Sequence, residues 1–132
     1  MTKIVVVDDE PEVADGLAFL FERLGHEVKV AYAGADALPL AAAFRPHIIF
    51  LDLAMPDVDG YECARKIRAA SAITDHPFLV AHSGKGGLDI DRLTKAAGFD
   101  VYMVKPADFS ILLMLVDSLK NREHPSTPSA LR

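Results

Sequence analysis

Two short apolar runs in this sequence end in aspartates. The run 3–7 leads into Asp8 and Asp9, and the run 48–51 leads into Asp52. Runs of this kind are typical of buried parallel strands, and ligands of open parallel α/β sheets bind at the carboxyl ends of such strands. If both strands are central in one sheet, the three carboxylates lie together at one edge, where they can take part in chemistry.

Three carboxylates at one edge need a compensating charge. Two of them about 5 Å apart repel each other by roughly 3 kcal/mol at an effective dielectric of about 20, so the group must hold a cation or a proton. An all-oxygen ligand set with room for water suits magnesium better than zinc, which favours His and Cys. The alternative is that Asp8 and Asp9 only form a turn or cap the first helix, a common role of Asp. The second strand ending in Asp52 favours the shared site.

Two further predicted strands end in polar residues. The fourth strand leads into Ser83 and the fifth into Lys105. Together these residue types fit phosphoryl transfer to a carboxylate. Asp52 would be the nucleophile, and Asp9 and Asp52, with a backbone carbonyl just beyond, would be the magnesium ligands. Lys105 would supply a fixed positive charge and Ser83 a hydrogen-bond donor. Alone, a Lys before Pro is usually a surface residue and Ser-Gly is usually a turn. Four strand ends with these residues at one edge of the sheet favour a phosphoryl-transfer site.

The periodicity of the chain predicts five strands that alternate with five helices. The strands are 3–7, 28–33, 48–52, 78–82 and 101–104, and the helices are 11–24, 34–44, 61–70, 89–97 and 109–120. This order predicts an α/β domain, (βα)5, with a doubly wound parallel sheet and helices on both faces.

Several local expectations follow from these helices. The inward stripe of the first helix is predicted to be Val13, Leu17, Leu20, Phe21 and Leu24, which leaves Phe19 exposed. Pro39 predicts a kink or a late start of the second helix. Arg65, Lys66 and Arg68 are expected to be solvated, Asp89 to cap the fourth helix, and Gly98 to end it. Leu113 and Met114 lie off the inward stripe of the fifth helix, which fits either a partner contact or ordinary scattered exposure.

Composition excludes several classes of protein. The chain has 132 residues, 51% apolar and 25% charged, which is typical of one soluble globular domain. Its net charge of −5 and the lack of a basic stripe argue against nucleic acid. It has no apolar stretch of the roughly 18 residues that a membrane span needs, and no secretory signal pattern. The single Cys63 fits a reducing compartment, so we expect a cytoplasmic protein.

With these residues in place, the sequence resembles the receiver domain of bacterial response regulators, in particular the chemotaxis-regulator-like single-domain receivers of two-component signalling. The resemblance covers residues 2 to about 121, so the receiver domain is expected to span 1–121, and it rests on four segments, which are Val7-Asp8-Asp9, 52–60, Ser83-Gly84 and 102–106. It implies a flavodoxin-like sheet with strand order 2-1-3-4-5. It also implies that a histidine kinase or histidine phosphotransfer protein phosphorylates Asp52 with magnesium, in a signalling domain that catalyses its own phosphorylation and dephosphorylation rather than in an enzyme.

The resemblance also implies roles for individual residues. Ala54 would offer its backbone carbonyl to the metal and Asp8 would contact it through water. Ser83 and Tyr102 would form the switch, with Ser where Thr is more usual, and the bond between Lys105 and Pro106 would be cis, which proline makes inexpensive. Two positions of the family tune dephosphorylation and are occupied here by Ala54 and Lys85. Since Ala54 cannot orient an attacking water, we expect a phosphorylated lifetime of minutes or longer.

Phosphorylation is expected to repack the face made by the fourth helix, fifth strand and fifth helix, which would bind an output protein or a second copy of the chain. Residues 122–132, rich in Pro and Ser, are expected to be a disordered tail or a linker stub. No effector domain is expected in 132 residues, and both a natural stand-alone receiver and an excised one fit. Two alternatives are a pseudo-receiver that only binds partners, although the acidic residues and Lys105 are present, and a haloacid dehalogenase-type phosphatase, although Asp8-Asp9-Glu10 lacks the required Asp-x-Asp.

Overall fold

The computed structural model describes residues 2–73, 76–84 and 86–119. It contains a five-stranded sheet and five α-helices that alternate along the chain. In chain order the elements are β1 (Lys3–Val7), α1 (Pro11–Arg23), β2 (Glu27–Ala31), α2 (Ala37–Phe44), β3 (Ile48–Asp52), α3 (Gly60–Ala69), β4 (Phe78–Ser83), α4 (Leu88–Ala97), β5 (Val101–Val104) and α5 (Phe109–Ser118). The strands are parallel and their spatial order is β2-β1-β3-β4-β5. The predicted fold class and strand order are confirmed.

Two apolar cores cover the two faces of the sheet. In β1, Val5 and Val7 point to the side of α2, α3 and α4, whereas Ile4 and Val6 point to the side of α1 and α5. This alternation is the period of two that a strand imposes on its side chains. Burial on both faces explains why the strand sequences are continuous apolar runs. β1 and β3 are therefore central, and their carboxyl ends lie side by side.

Helix α1 buries the predicted face in part, since three residues of the predicted stripe are half-buried, namely Val13, Leu17 and Leu20. Pro11 occupies its first position, where the missing N–H costs nothing, but the fully buried side chains are Ala14, Ala18 and Phe21. Leu24, expected inside, is 46% exposed. The prediction for Leu24 was wrong because the helix ends at Arg23, and the small alanines let it lie close to the sheet.

The second helix starts late, as Pro39 indicated. A 3-10 turn at Gly34–Asp36 precedes α2, so Pro39 is the third residue of the α-helix. In the first turn a backbone N–H has no helical acceptor, and proline is tolerated there.

Arg68 is not solvated, contrary to the prediction for the basic side of α3. Its guanidinium donates to the carbonyls of Gly98 at 2.9 Å and Pro77 at 2.7 Å, and pairs with Asp100 at 2.9 Å. The side chain is only 15% exposed. A guanidinium has five donors, so a single residue can tie α3 to the segments before β4 and β5.

Helix α4 is not capped by Asp89. It begins at Leu88 after Gly87, whose φ is +131, and Asp89 instead pairs with Arg92 on the exposed surface at 2.8 Å. The positive φ at Gly87 sets the chain direction into the helix, which glycine allows at little cost. Gly98, with φ +107, ends the helix as predicted.

Candidate functional site

The carboxylates that follow β1 and β3 meet at one edge of the sheet. Asp8, Asp9 and Asp52 each place a ligand atom within 4.8 Å of the other two. The parallel register pairs Val7 with Leu51, so the next residues of both strands, Asp8 and Asp52, emerge together. Asp8 is 1% exposed and Asp52 5%, so their charges are largely removed from water. Such a cluster is costly without a cation.

Lys105 provides a cation from the far side of β4. Its Nζ lies 2.8 Å from Asp8 Oδ2 and 3.5 Å from Asp52 Oδ1. It also lies 3.4 Å from Glu10 Oε1, a contact that the sequence does not predict. The Lys105–Pro106 peptide bond is cis, and the Lys105 N–H donates to the Ser83 carbonyl at 2.7 Å. Lys105 is thus attached to β4 through its backbone and to the acidic cluster through its side chain.

The environment at this edge raises the pKa of both Asp52 and Lys105, for different reasons. Burial, together with the negative charge of Asp8, raises the pKa of Asp52 from 3.8 to about 6, although Lys105 acts against this shift. Burial acts to lower the pKa of Lys105, but its hydrogen bond to Asp8 and the charges of Asp52 and Asp8 outweigh burial and raise it. Lys105 therefore stays charged, while Asp52 carries negative charge that one lysine does not balance.

The remaining predicted site residues surround this centre. Ser83 is buried at the end of β4, and Tyr102 is half-buried in β5 with its hydroxyl 3.5 Å from the N and O atoms of Gly87. Ala54 is exposed, and its N–H donates to Asp52 Oδ1 at 3.4 Å. Lys85 lies outside the described residues, as does 120–132 with the predicted tail.

Two acids of the loop after β3 have structural partners. Asp57 accepts hydrogen bonds from the N–H groups of Gly34 at 3.1 Å and Ala35 at 2.9 Å. Backbone hydrogen bonds, of which the one from Ala35 has the largest effect, lower the pKa of the Asp57 carboxyl. Asp59 is the N-cap of α3 and accepts from the Glu62 N–H at 2.9 Å. These contacts hold the loop in place and separate its acids from the cluster.

Sequence reasoning missed His82, which precedes Ser83 in β4. It is 5% exposed, and its Nε2 has no hydrogen-bond partner among the residues that the structure describes. Burial and the charge of Lys105 lower the pKa of His82 to about 4, so the ring is neutral. The only signal was the period of two in β4, which places residue 82 on the same side as Val80.

The donor chemistry of the cluster fits magnesium. Its three carboxylates are hard oxygen ligands, and burial together with the charge of Asp8 raises the pKa of Asp52, so a bound cation would favour its ionised form. His82 has no place in such a set, since imidazole suits zinc and other transition metals.

The fold and the site define a class of protein, the α/β domains with an acidic cluster and a lysine at the carboxyl edge of a parallel sheet. Residues 4–117 match the response regulator receiver domain family, and the chain belongs to this family. It is therefore a receiver domain of two-component response regulators, a kind of domain that binds magnesium in an acidic pocket and interacts with histidine kinases, phosphotransfer proteins and output domains.

Individual relatives agree with this assignment. The chain is 35% identical to protein PilG of Pseudomonas aeruginosa over 104 residues, 79% of this chain and 76% of that protein. It is 30% identical to the DNA-binding dual master transcriptional regulator RpaA of Synechocystis over 122 residues, 92% of this chain and 50% of that protein. The receiver domain structure of the Francisella response regulator 1452 superposes with a TM-score of 0.84 at 25% identity, covering 94% of this chain and 100% of that one.

The chain spans about half the length of RpaA and of the other transcriptional regulators that it matches. None of the helices in the described ranges has both the length and the apolar character needed to cross a membrane.

Proposed function

We propose that this chain accepts a phosphoryl group on Asp52 from the phosphohistidine of a sensor histidine kinase or a histidine phosphotransfer protein, in the cytoplasm and with magnesium as cofactor. The observation that carries the proposal is the position of Lys105 Nζ, 3.5 Å from Asp52 Oδ1 in a cluster of buried acids. A buried carboxylate beside a fixed cation is suited to act as a nucleophile toward an anionic group.

The transfer is a displacement at phosphorus. A carboxylate oxygen of Asp52 forms the new P–O bond while the P–N bond of the donor breaks, and the electron pair goes to the donor's imidazole nitrogen, which takes up a proton. Asp9, Asp52 and the carbonyl of Ala54 would hold the magnesium, with Asp8 reaching it through water. When bound, the ion supplies charge neutralisation for the phosphoryl oxygens.

Lys105 and Ser83 act on the product. Lys105 is held by its backbone to the Ser83 carbonyl, so its ammonium is positioned to pair with a phosphoryl oxygen. Ser83, buried at the same edge, donates its hydroxyl hydrogen to another oxygen. The phosphoryl group adds roughly −1.5 to −2 charge, which is the local change that drives the switch.

The switch is transmitted through Tyr102. In the present state its hydroxyl is 3.5 Å from the Gly87 backbone, ahead of α4. Movement of Ser83 toward the phosphoryl group would open space for the ring of Tyr102 and release this contact. The change then reaches α4, β5 and α5.

The face formed by α4, β5 and α5 is proposed as the output surface. It carries large exposed apolar side chains on all three elements, which are Leu93, Val104, Phe109, Ile111 and Met114. Exposed apolar side chains in such number favour a protein partner or a second copy of the chain over nucleic acid. Sedimentation of phosphorylated protein would show a larger species that Phe109→Ser reduces, whereas the exposed control Phe19→Ser would leave it unchanged. Monomers at every concentration would contradict a homodimer.

The alternative is a pseudo-receiver that binds partners without phosphorylation. Nothing in the site favours it, since the acids and the lysine are all present. The two are separated by incubating the chain with acetyl phosphate, with and without magnesium, and measuring the intact mass. A magnesium-dependent gain of one phosphoryl group that Asp52→Asn abolishes is expected. No gain from acetyl phosphate or phosphoramidate would favour the pseudo-receiver.

A further inference from the structure

A cavity lies beside the acidic cluster, on the side of the sheet that α1 and α5 cover. It has a volume of about 460 Å³ and is bounded by α1, the end of β4, the segment after β5 and α5. Most of its walls are apolar, with Val13, Leu17 and Leu112 on the helices and Pro106 and Ala107 after β5. Its size is within the range of small-molecule sites, which are concave and mostly apolar with a few polar groups.

One of the polar groups in this wall is His82. Its side chain lies on the same side of β4 as Val80, which belongs to the core under α1 and α5. The imidazole is more than nine-tenths buried, and Nε2 has no hydrogen-bond partner in the described part of the chain. A buried polar atom without a partner costs free energy, so such atoms are normally satisfied by a protein group, a water or a ligand.

The charges around the cavity restrict what can bind there. Two charged residues, Glu12 and Lys105, are also in the wall, and the ammonium of Lys105 is already shared by three carboxylates at the edge of the sheet. An anionic ligand would meet these carboxylates, and a cationic ligand would meet Lys105. A neutral group is favoured. A hydroxyl both donates and accepts a hydrogen bond, and so matches His82 Nε2 in either tautomer of the neutral ring.

We propose that this cavity is a binding site for a small, neutral, mostly apolar molecule that carries one hydroxyl, of the phenol class, with the hydroxyl on His82 Nε2 and the ring between the apolar walls. A rigid aromatic body suits the walls because it loses little conformational entropy on binding. The cavity shares Lys105 with the phosphoacceptor site, but its occupancy requires neither magnesium nor phosphorylation.

The test is a titration of the ¹⁵N-labelled full chain with 4-methylphenol, without magnesium or phosphodonor, followed by amide chemical shifts. Saturable shifts are expected at α1 and at the segment after β5. Toluene, which has the same ring without the hydroxyl, should bind about tenfold more weakly because it leaves Nε2 unpaired. His82→Phe should remove this preference for 4-methylphenol over toluene.

A second variant tests the cavity without touching His82. Gly16 is in the wall on α1, and a Cβ added there meets no atom within 4 Å, so the backbone has room for the first side-chain atom of Gly16→Leu, whose longer side chain should extend into the cavity. It should weaken 4-methylphenol binding by at least about tenfold. Ala43→Leu, at an exposed position of α2 on the other side of the sheet, is the matched control and should bind like the wild type.

Three results would overturn the proposal. The first is the absence of saturable shifts with 4-methylphenol, which would mean that solvent satisfies Nε2. The second is equal affinity of the wild type and Gly16→Leu for 4-methylphenol, and the third is a preference for 4-methylphenol over toluene that persists in His82→Phe. If His82→Phe does not fold, the comparison of Gly16→Leu with Ala43→Leu and of the two ligands on the wild type still decides.

Discussion

Lys105 lies closer to Asp8 than to Asp52, with Nζ 2.8 Å from Asp8 Oδ2 and 3.5 Å from Asp52 Oδ1. The tighter pair places the cation at the edge of the sheet and leaves Asp52 only partly compensated. Burial and the charge of Asp8 outweigh the effect of Lys105 and raise the pKa of Asp52 to about 6. Of the two buried acids, Asp52 is therefore the one with a carboxylate available to a metal and to a phosphoryl group.

Removing Lys105 should destabilise the protein most when magnesium is absent. Lys105→Met leaves Asp8 and Asp52 buried without a cation, and we expect the free energy of unfolding to fall by about 2 kcal/mol in EDTA. Magnesium should restore more stability to Lys105→Met than to the wild type. Urea denaturation with EDTA and with magnesium measures both effects.

The matched control is Lys95→Met, because the pair of Lys95 with Asp91 is exposed. Its loss should stay within about 0.5 kcal/mol. An equal loss of stability for Lys105→Met with and without magnesium would contradict the role of Lys105 as the counter-ion of the cluster.

Asp52 should make stability depend on pH. Its pKa is about 6 in the folded protein against an ordinary value of 3.8, so between these values the folded state binds a proton that the unfolded state has lost. Stability without metal should therefore fall as pH rises from about 4 to about 6. Asp52→Asn removes this term, and we expect it to be more stable than the wild type at pH 7 in EDTA by about 2 kcal/mol, with no difference at pH 3.5.

Urea denaturation of the wild type and Asp52→Asn across this pH range measures the difference in their free energies of unfolding. The same difference at pH 3.5 and pH 7 would show that burial and Asp8 do not raise the pKa of Asp52. Magnesium affinity gives a second readout, since protons compete for Asp52 and affinity should weaken below about pH 6.

Arg68 should matter for stability although it lies on the charged side of α3. Arg68→Ala removes hydrogen bonds to Gly98, Pro77 and Asp100, and we expect a loss of about 2 kcal/mol. Arg65→Ala, whose partner Glu62 lies on the same exposed helix face, should cost less than about 0.5 kcal/mol. Thermal or urea unfolding compares the two variants, and equal losses would contradict the assignment.

Ala54 should slow the loss of the phosphoryl group. It is exposed two residues after Asp52 and has no side chain to orient a water. Ala54→Asn should shorten the phosphorylated lifetime by about tenfold, equivalent to roughly 1.4 kcal/mol of barrier. The decay is followed by intact mass after the donor is removed, with Ala43→Asn as the control. An unchanged lifetime would contradict the prediction that Ala54 slows the loss of the phosphoryl group.

The sequence was sufficient to predict the sheet and the residues at its edge. β1 and β3 are continuous apolar runs up to Asp8 and Asp52, and β4 is apolar as far as Ala81, so the ends of these strands were visible in the sequence. The alternation of strands and helices then determined which ends share an edge. These features depend on local composition and on chain order, both of which a sequence displays.

Contacts made by long side chains were not predictable. Arg68 reaches two segments, and Glu10 meets Lys105 across 95 residues of sequence, because each has a flexible side chain with several possible partners. Helix α1 was misread in part since large apolar residues dominate a periodicity pattern, whereas the helix buries Ala14 and Ala18 against the sheet. Tertiary packing decided these cases.

The central claim is that Asp52 is the phosphoacceptor, and the most direct measurement locates the phosphoryl group in the chain. The protein is incubated with acetyl phosphate and magnesium and then treated with borohydride, which reduces an acyl phosphate to an alcohol with release of phosphate and so converts the aspartate to homoserine. Peptide mass spectrometry should find homoserine at position 52, with magnesium and not with EDTA. Homoserine at position 8 or 9, or an equal yield at 52 without magnesium, would contradict the account.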